Sequence, residues 1–144
     1  MKKRILIGAS FLFFVSLFIY FALFHTPKQE PVVTKREAIH STIYSKKDIE
    51  EAMDVSEQYF KDTCKGCSLL SIRYDEDYSK ANVEKYRVHK KDEMLIIMYD
   101  LRTDAKGSDP TLTPNTEYKD NIYVVSRNSK NSPWNVINSG DIHS

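Results

Sequence analysis

Ser45-Lys46-Lys47-Asp48-Ile49-Glu50-Glu51-Ala52-Met53-Asp54-Val55-Ser56-Glu57-Gln58-Tyr59-Phe60-Lys61-Asp62-Thr63-Cys64-Lys65-Gly66 is the stretch whose reading decides the fold. Ser45 followed three residues later by Asp48 is a capping-box pattern, with Asp in place of the usual Glu or Gln. Tyr44 and Ile49 stand at the staple positions around that cap. Ile49, Ala52, Met53, Ser56, Tyr59 and Phe60 recur at three- and four-residue spacing, which makes one apolar face. Asp48, Glu50, Glu51, Asp54, Glu57, Lys61 and Asp62 fill the remainder, and Gly66 is a stop signal just beyond. The pattern predicts a helix over 46–63.

Downstream the period changes from helical to alternating. Ser68 to Tyr74 alternates, with Leu70, Ile72 and Tyr74 on one face. Glu93 to Leu101 is apolar on both faces, as a central strand would be. Ile122–Arg127 and Trp134–Ile137 flank Asn128 to Pro133, which reads as a hairpin loop. A short helix is expected around Ser79–Tyr86 within Asp75 to Lys91. One helix followed by four antiparallel strands defines an α+β class, with the helix packed on one sheet face. One helix cannot cover both faces. Continued alternation would put Ile96, Met98, Tyr123 and Val125 on the face left over, which makes them the binding-face candidates.

Upstream lies a different kind of sequence. Ile5 to Phe24 is twenty residues without a charge, preceded by Met1-Lys2-Lys3-Arg4. As a helix it would be about 30 Å long, the thickness of a bilayer hydrocarbon core. A secretory signal peptide is the competing reading, but its apolar region is usually about 7–15 residues and ends in a small-x-small site. Here the end reads Phe21-Ala22-Leu23-Phe24-His25-Thr26-Pro27, and no lipobox cysteine follows. The expectation is an uncleaved single-pass anchor bounded by Ile5 and Phe24, with residues 1–4 as a basic cytoplasmic tip. The basic flank biases the N-terminus to the cytoplasm and residues 25–144 to the outside of the cell membrane. His25 to Ile43, with Pro27 and Pro31, reads as a tether that would average about 25 Å end to end if flexible. Its second half has a strand-like or helical character at Val32, Val33 and Ile39. The domain proper is placed at 44–144.

Charge and aromatic usage follow the same division. The whole chain carries a formal +1, yet residues 1–40 hold six Lys/Arg against two Asp/Glu. The remainder therefore holds fifteen (21 − 6) against eighteen (20 − 2), a net of −3. A mildly acidic domain has no basic stripe for nucleic acid. Six of the seven Phe lie in the apolar run, whereas the rest of the chain uses eight Tyr and Trp134. Tyr suits thin cores and contact surfaces with one wet side.

Cys64-Lys65-Gly66-Cys67 is the one motif with chemical potential. Thioredoxin-type C-x-x-C opens a helix, where the positive dipole end lowers the thiol pKa. This one closes a helix, where the dipole disfavours a thiolate. Outside the cytoplasm neighbouring cysteines oxidise readily, so a structural disulfide is expected first. Unpaired thiols, thiol–disulfide exchange and a metal pair follow in that order. His25, His40, His89 and His143 lack zinc-site spacing with the two Cys. Asp75-Glu76-Asp77-Tyr78-Ser79 imitates half of an EF-hand loop, but Lys80 stands where Gly belongs and Tyr86 where Glu belongs. Four Gly in all exclude a Gly-rich phosphate cradle, and no G-x-S-x-G or H-E-x-x-H occurs. Asp100, with Tyr99, Tyr86 and His89, is a remote acid/base grouping against the simpler reading of a strand-end Asp. No catalytic residue, cofactor or metal is assigned.

Leu112-Thr113-Pro114-Asn115-Thr116-Glu117-Tyr118, then Tyr123-Val124-Val125-Ser126-Arg127 and Trp134-Asn135-Val136, resemble an uncharacterised domain family of small Gram-positive surface lipoproteins and anchored proteins. In that family an L-x-P-x-x-x-Y turn leads into a hairpin ending at a Trp. Gly66-Cys67-Ser68-Leu69 and Ile72-Arg73-Tyr74-Asp75 are similar to its first strand and turn. The likeness covers about residues 46–140 and implies a cystatin-like or NTF2-like arrangement, with no activity to carry over. Two departures are the anchor helix in place of a lipobox Cys and the missing aromatic after Gly140.

Together these readings lead to a membrane-anchored extracytoplasmic binding or interaction domain. Its partners would be the lipid bilayer through residues 5–24 and a protein, or a second copy, on the open sheet face. An assembly component of a secretion- or conjugation-type envelope complex is one alternative. Extracytoplasmic thiol–disulfide exchange at Cys64 and Cys67 is the other.

Overall fold

The helix anticipated from Ser45 onward spans Lys46–Thr63 (α1). The structure, a computed structural model, describes residues 34–37, 40–87, 89, 92–106 and 111–141. The expected anchor at Ile5–Phe24 lies outside these residues. Among the described residues no helix is long and apolar enough to cross a membrane.

The capping box forms as the sequence specifies. The Asp48 N–H donates to Ser45 Oγ at 3.1 Å, and the Ser45 N–H donates to Asp48 Oδ2 at 3.1 Å. Two N–H groups that the helix cannot satisfy are thereby paired. At the other end the Cys64 N–H reaches Phe60 O at 2.8 Å. Gly66 then takes φ 71°, a left-handed conformation that a side chain would resist, and turns the chain into β2 (Cys67–Tyr74).

The chain continues through α2 (Glu76–Asn82), a 3-10 turn (Val83–Tyr86), β3 (Glu93–Thr103), β4 (Glu117–Arg127) and β5 (Asn135–Asp141). A two-residue strand, β1 (Lys35–Arg36), precedes α1. The sheet order is β1-β2-β3-β4-β5, with β1 parallel to β2 and every other neighbour antiparallel. The α+β class holds. The main helix on four antiparallel strands becomes two helices and a five-stranded mixed sheet. The short helix expected around Ser79–Tyr86 is present but starts earlier, as Glu76–Asn82 running into the 3-10 turn. The unread addition is β1, whose two residues carry no period to read.

Helix α1 lays Ile49, Ala52, Met53 and Phe60 on one sheet face, against Ile72, Leu95, Ile97, Tyr99, Tyr123, Val125 and Trp134. A buried Ile or Met contributes about 1.5–3 kcal/mol relative to exposure, so this face carries most of the stabilisation. The opposite face holds a second cluster of Met94, Ile96, Met98, Ile122 and Val124, with Val83 of the 3-10 turn over it and Tyr78 and Tyr86 packed beside. That face is therefore not the open surface expected from a one-helix fold.

The second helix sits where it does because β2 stops early. Tyr74 is the last β2 residue in register with β3, opposite Ile97. Beyond it the backbone of β3 needs other partners. Ser79 of α2 accepts the Ile96 N–H at 3.0 Å, and the Tyr44 hydroxyl donates to Met94 O at 2.9 Å. Asp75 starts α2 by accepting the Tyr78 N–H at 2.9 Å, so the acidic Asp75–Ser79 stretch is a helix cap.

Part of the expected tether is bonded to the domain. Thr34 Oγ1 donates to Leu69 O at 3.3 Å, and Arg36 pairs with Asp54 at 2.8 Å and with Glu57 at 2.5 Å. Glu76 accepts from the Ser41 hydroxyl and from the Thr42 N–H and hydroxyl, at 2.7 and 2.6 Å for Thr42. Lys80 first, then Ser41 and Thr42, hold the Glu76 carboxyl well below the usual range.

Candidate functional site: a groove between helix α1 and the β4–β5 hairpin

Arg127 ends the apolar half of β4, and its side chain is 2% exposed. A guanidinium there has to be paired, since an unpartnered buried charge is very costly. It donates to Asp48 Oδ1 at 2.7 Å and through Nε to Glu93 Oε2 at 2.7 Å. One side chain thus joins the first turn of α1 to β3 and β4. Its guanidinium carbon also lies 4.3 Å from the Trp134 ring centroid, within cation–π range. Tyr44 meets Trp134 edge-on at 5.9 Å.

The electrostatics follow from those contacts. The Ser45 hydroxyl first, and Arg127 as well, hold the Asp48 carboxyl below its ordinary value against the upward push of burial. Burial pushes the Arg127 pKa down, but the bonds to Asp48 and Glu93 outweigh it and leave the guanidinium more firmly charged. The charge pattern is locked in place.

Above this floor α1 and the hairpin loop flank an open groove of about 760 Å³. Lys47, Asp48, Glu51, Asp54 and Val55 line it from the helix, and Lys130, Pro133 and Trp134 from the hairpin. Trp134 is 3% exposed, and its indole N–H has no hydrogen-bond partner among the described residues. The groove therefore combines a charge-braced floor with a helix wall of mixed charge, where Lys47 stands among Asp48, Glu51 and Asp54, and a lysine on the hairpin wall. That arrangement can hold a ligand by shape and charge.

The binding-face candidates are not brought together. Ile96 and Met98 lie on the second face, 0% and 7% exposed beneath α2 and the 3-10 turn. Tyr123 and Val125 lie on the α1 face, because β4 pairs Tyr123 with Ile97 and Val125 with Leu95. The expectation of a shared face fails on register, since a one-residue change of pairing exchanges the faces of every residue in a strand. Tyr123 instead stacks on Tyr99, 4.3 Å between centroids with planes 10° apart, and meets Tyr59 edge-on at 5.3 Å. Burial first, then Tyr99, pushes the Tyr123 phenol far up.

Asp100 and Tyr99 also point to opposite faces. Asp100 accepts from Ser71 Oγ at 2.7 Å, Arg73 at 3.2 Å and the Asp120 N–H at 2.9 Å. Arg73 reaches Asp120 as well. Asp120 has φ 57° and sits at the irregularity where β4 carries an extra residue opposite Tyr99–Leu101. Burial pushes the Asp100 carboxyl up, but those three donors outweigh it and leave it below its ordinary value. A carboxylate paired in this way braces the three central strands. His89 is exposed and Tyr86 lies over the second face, so the acid/base grouping does not assemble.

Cys64 and Cys67 stand at disulfide distance with their Cα atoms 5.7 Å apart, inside the usual range. Cys64 is the C-cap of α1 and Cys67 the first residue of β2. Gly66 O between them accepts the Asp104 N–H at 2.8 Å, so the turn is also held from outside. A thiolate at this helix end would face the negative end of the dipole. Among the described residues no group of three or more His, Cys, Asp or Glu is placed to hold a metal ion.

The groove itself was missed in the sequence. Its signals were the lone Trp and a charged residue closing an apolar run. Asp48 and Arg127 are 79 positions apart, and no local period links them. Comparison with family profiles, with curated proteins and with solved structures found no match to this chain.

Proposed function

We infer that this protein is a binding module held at the outer surface of the cell membrane. The domain takes its partner in the groove between α1 and the β4–β5 hairpin. The observation that carries this is the groove's floor: Trp134 braced at 4.3 Å by an Arg127 already fixed to Asp48 and Glu93. Pre-formed sites of about 300–1,000 Å³ with aromatic walls and a few placed polar groups are the usual form of ligand pockets. The groove's 760 Å³ falls within that range. The location rests on the uncharged Ile5–Phe24 run after a basic tip.

Two measurements test the two halves. A C-terminal reporter active only outside the cytoplasm should be active, and one active only in the cytoplasm should be silent. The reverse result contradicts the location. Val55→Arg, which fills the groove from the helix wall, should abolish the phenotype of a complemented deletion strain while leaving the protein folded and membrane-bound. Full complementation by a folded Val55→Arg protein contradicts the groove.

A further inference from the structure

The two edges of the sheet are protected to different degrees. One edge is β1, two residues long and carrying Lys35 and Arg36, which is how natural sheets block unwanted pairing. The other edge is β5, which among the described residues pairs with β4 alone. Asn135 to Gly140 contains no charge and no proline. Five of those six residues are exposed, with only Val136 half-buried. The guards present are Asp141 at the last position of the strand and a bulge. Val124 pairs with Asn138 and Val125 with Val136, which leaves Ile137 as the extra residue. That bulge presents an apolar side chain, 46% exposed, in place of a charge.

We propose that this edge is a self-association surface, at which β5 of one copy pairs antiparallel with β5 of a second copy. The sheet then runs continuously through both molecules. The pairing is isologous, so the same patch serves both partners around a two-fold axis. No like charges meet over Asn135–Gly140, whereas a charged peptide would find no complementary side chain there. The Asn and Ser side chains both donate and accept, so each can pair with its own copy. A ladder this short falls below the roughly 1,200 Å² of a standard interface, so the dimer is weak and concentration-dependent.

The test uses the full chain in detergent micelles with the native cysteines left oxidised. Asn138→Cys should form an intermolecular disulfide under mild oxidation about tenfold or more faster than Lys85→Cys, a margin worth about 1.4 kcal/mol. Ile137→Lys added to Asn138→Cys should remove that advantage without changing the circular dichroism or the Trp134 emission. Ser139→Lys is a second charged variant at an exposed position and should act the same way. Equal rates at the two cysteine positions, or an Asn138→Cys dimer that persists with both lysine variants, would overturn the proposal. The second result would place the association elsewhere in the chain.

Discussion

Arg127 lies over Trp134 at 4.3 Å while its nitrogens are held by Asp48 and Glu93. The contact ties the helix to two strands and fixes the ring beneath the groove. Removing the guanidinium leaves Asp48 with Ser45 alone, takes the donor from a part-exposed Glu93 and unbraces the ring. Arg127→Ala should destabilise the domain by about 1.5–3 kcal/mol, the range for hydrogen bonds to charged groups. Denaturant unfolding followed by the fluorescence of the single tryptophan measures it. In the folded variant, iodide should quench Trp134 more strongly than in the wild type.

Asp48 links this network to pH. Its folded pKa lies below the ordinary value of 3.8, held first by Ser45 and also by Arg127. The ionised form therefore stabilises the fold. Its contribution is complete above about pH 5 and is lost as pH falls through about 4 toward the folded value. Denaturation midpoints at about pH 7 and pH 3 should fall with acid, and Asp48→Asn should fall less. An equal fall in the two proteins contradicts this role.

The two helix caps can be separated by mutation. Ser45→Ala removes the acceptor for the Asp48 N–H, and Asp75→Ala removes the acceptor for the Tyr78 N–H. Each should cost about 1 kcal/mol. Hydrogen exchange should place the first loss in α1 and the second around α2.

The turn at Cys64–Cys67 closes a loop of four residues. Reduction, or the double change Cys64→Ser with Cys67→Ser, should cost about 2 kcal/mol on the chain-entropy model. Unfolding with and without reductant measures it. Turnover of a model disulfide by the wild-type protein would instead revive thiol exchange as its role.

The parts that could be read beforehand are those with local causes. Ser45 and Asp48 define the start of α1 within one turn, and its apolar spacing defines the buried face. The strand at Glu93 is as apolar as a central strand should be, and its Met94–Tyr99 stretch is buried throughout. What could not be read depends on pairing over distance. The face of Tyr123 is decided by its register with Ile97, across a connection with no period of its own. The start of β4 at Glu117 was hidden because Glu117, Lys119 and Asp120 are polar. The groove needed Asp48, Arg127 and Trp134 placed by three different elements. Helix α2 is half legible: a short helix is expected around Ser79–Tyr86, but its start at Glu76 is hidden because Asp75–Ser79 resembles a half EF-hand loop, and its position follows from where β2 ends.

The most direct measurement of the central claim is site-specific photo-crosslinking of the full chain in its native membrane. A photoreactive residue at Lys130, on the hairpin wall of the groove, is compared with one at Lys85, exposed on the 3-10 turn. A groove that binds a partner gives one discrete adduct at 130, none of that size at 85, and loss of the adduct with Val55→Arg. No adduct at 130, or an adduct that Val55→Arg leaves unchanged, contradicts the account.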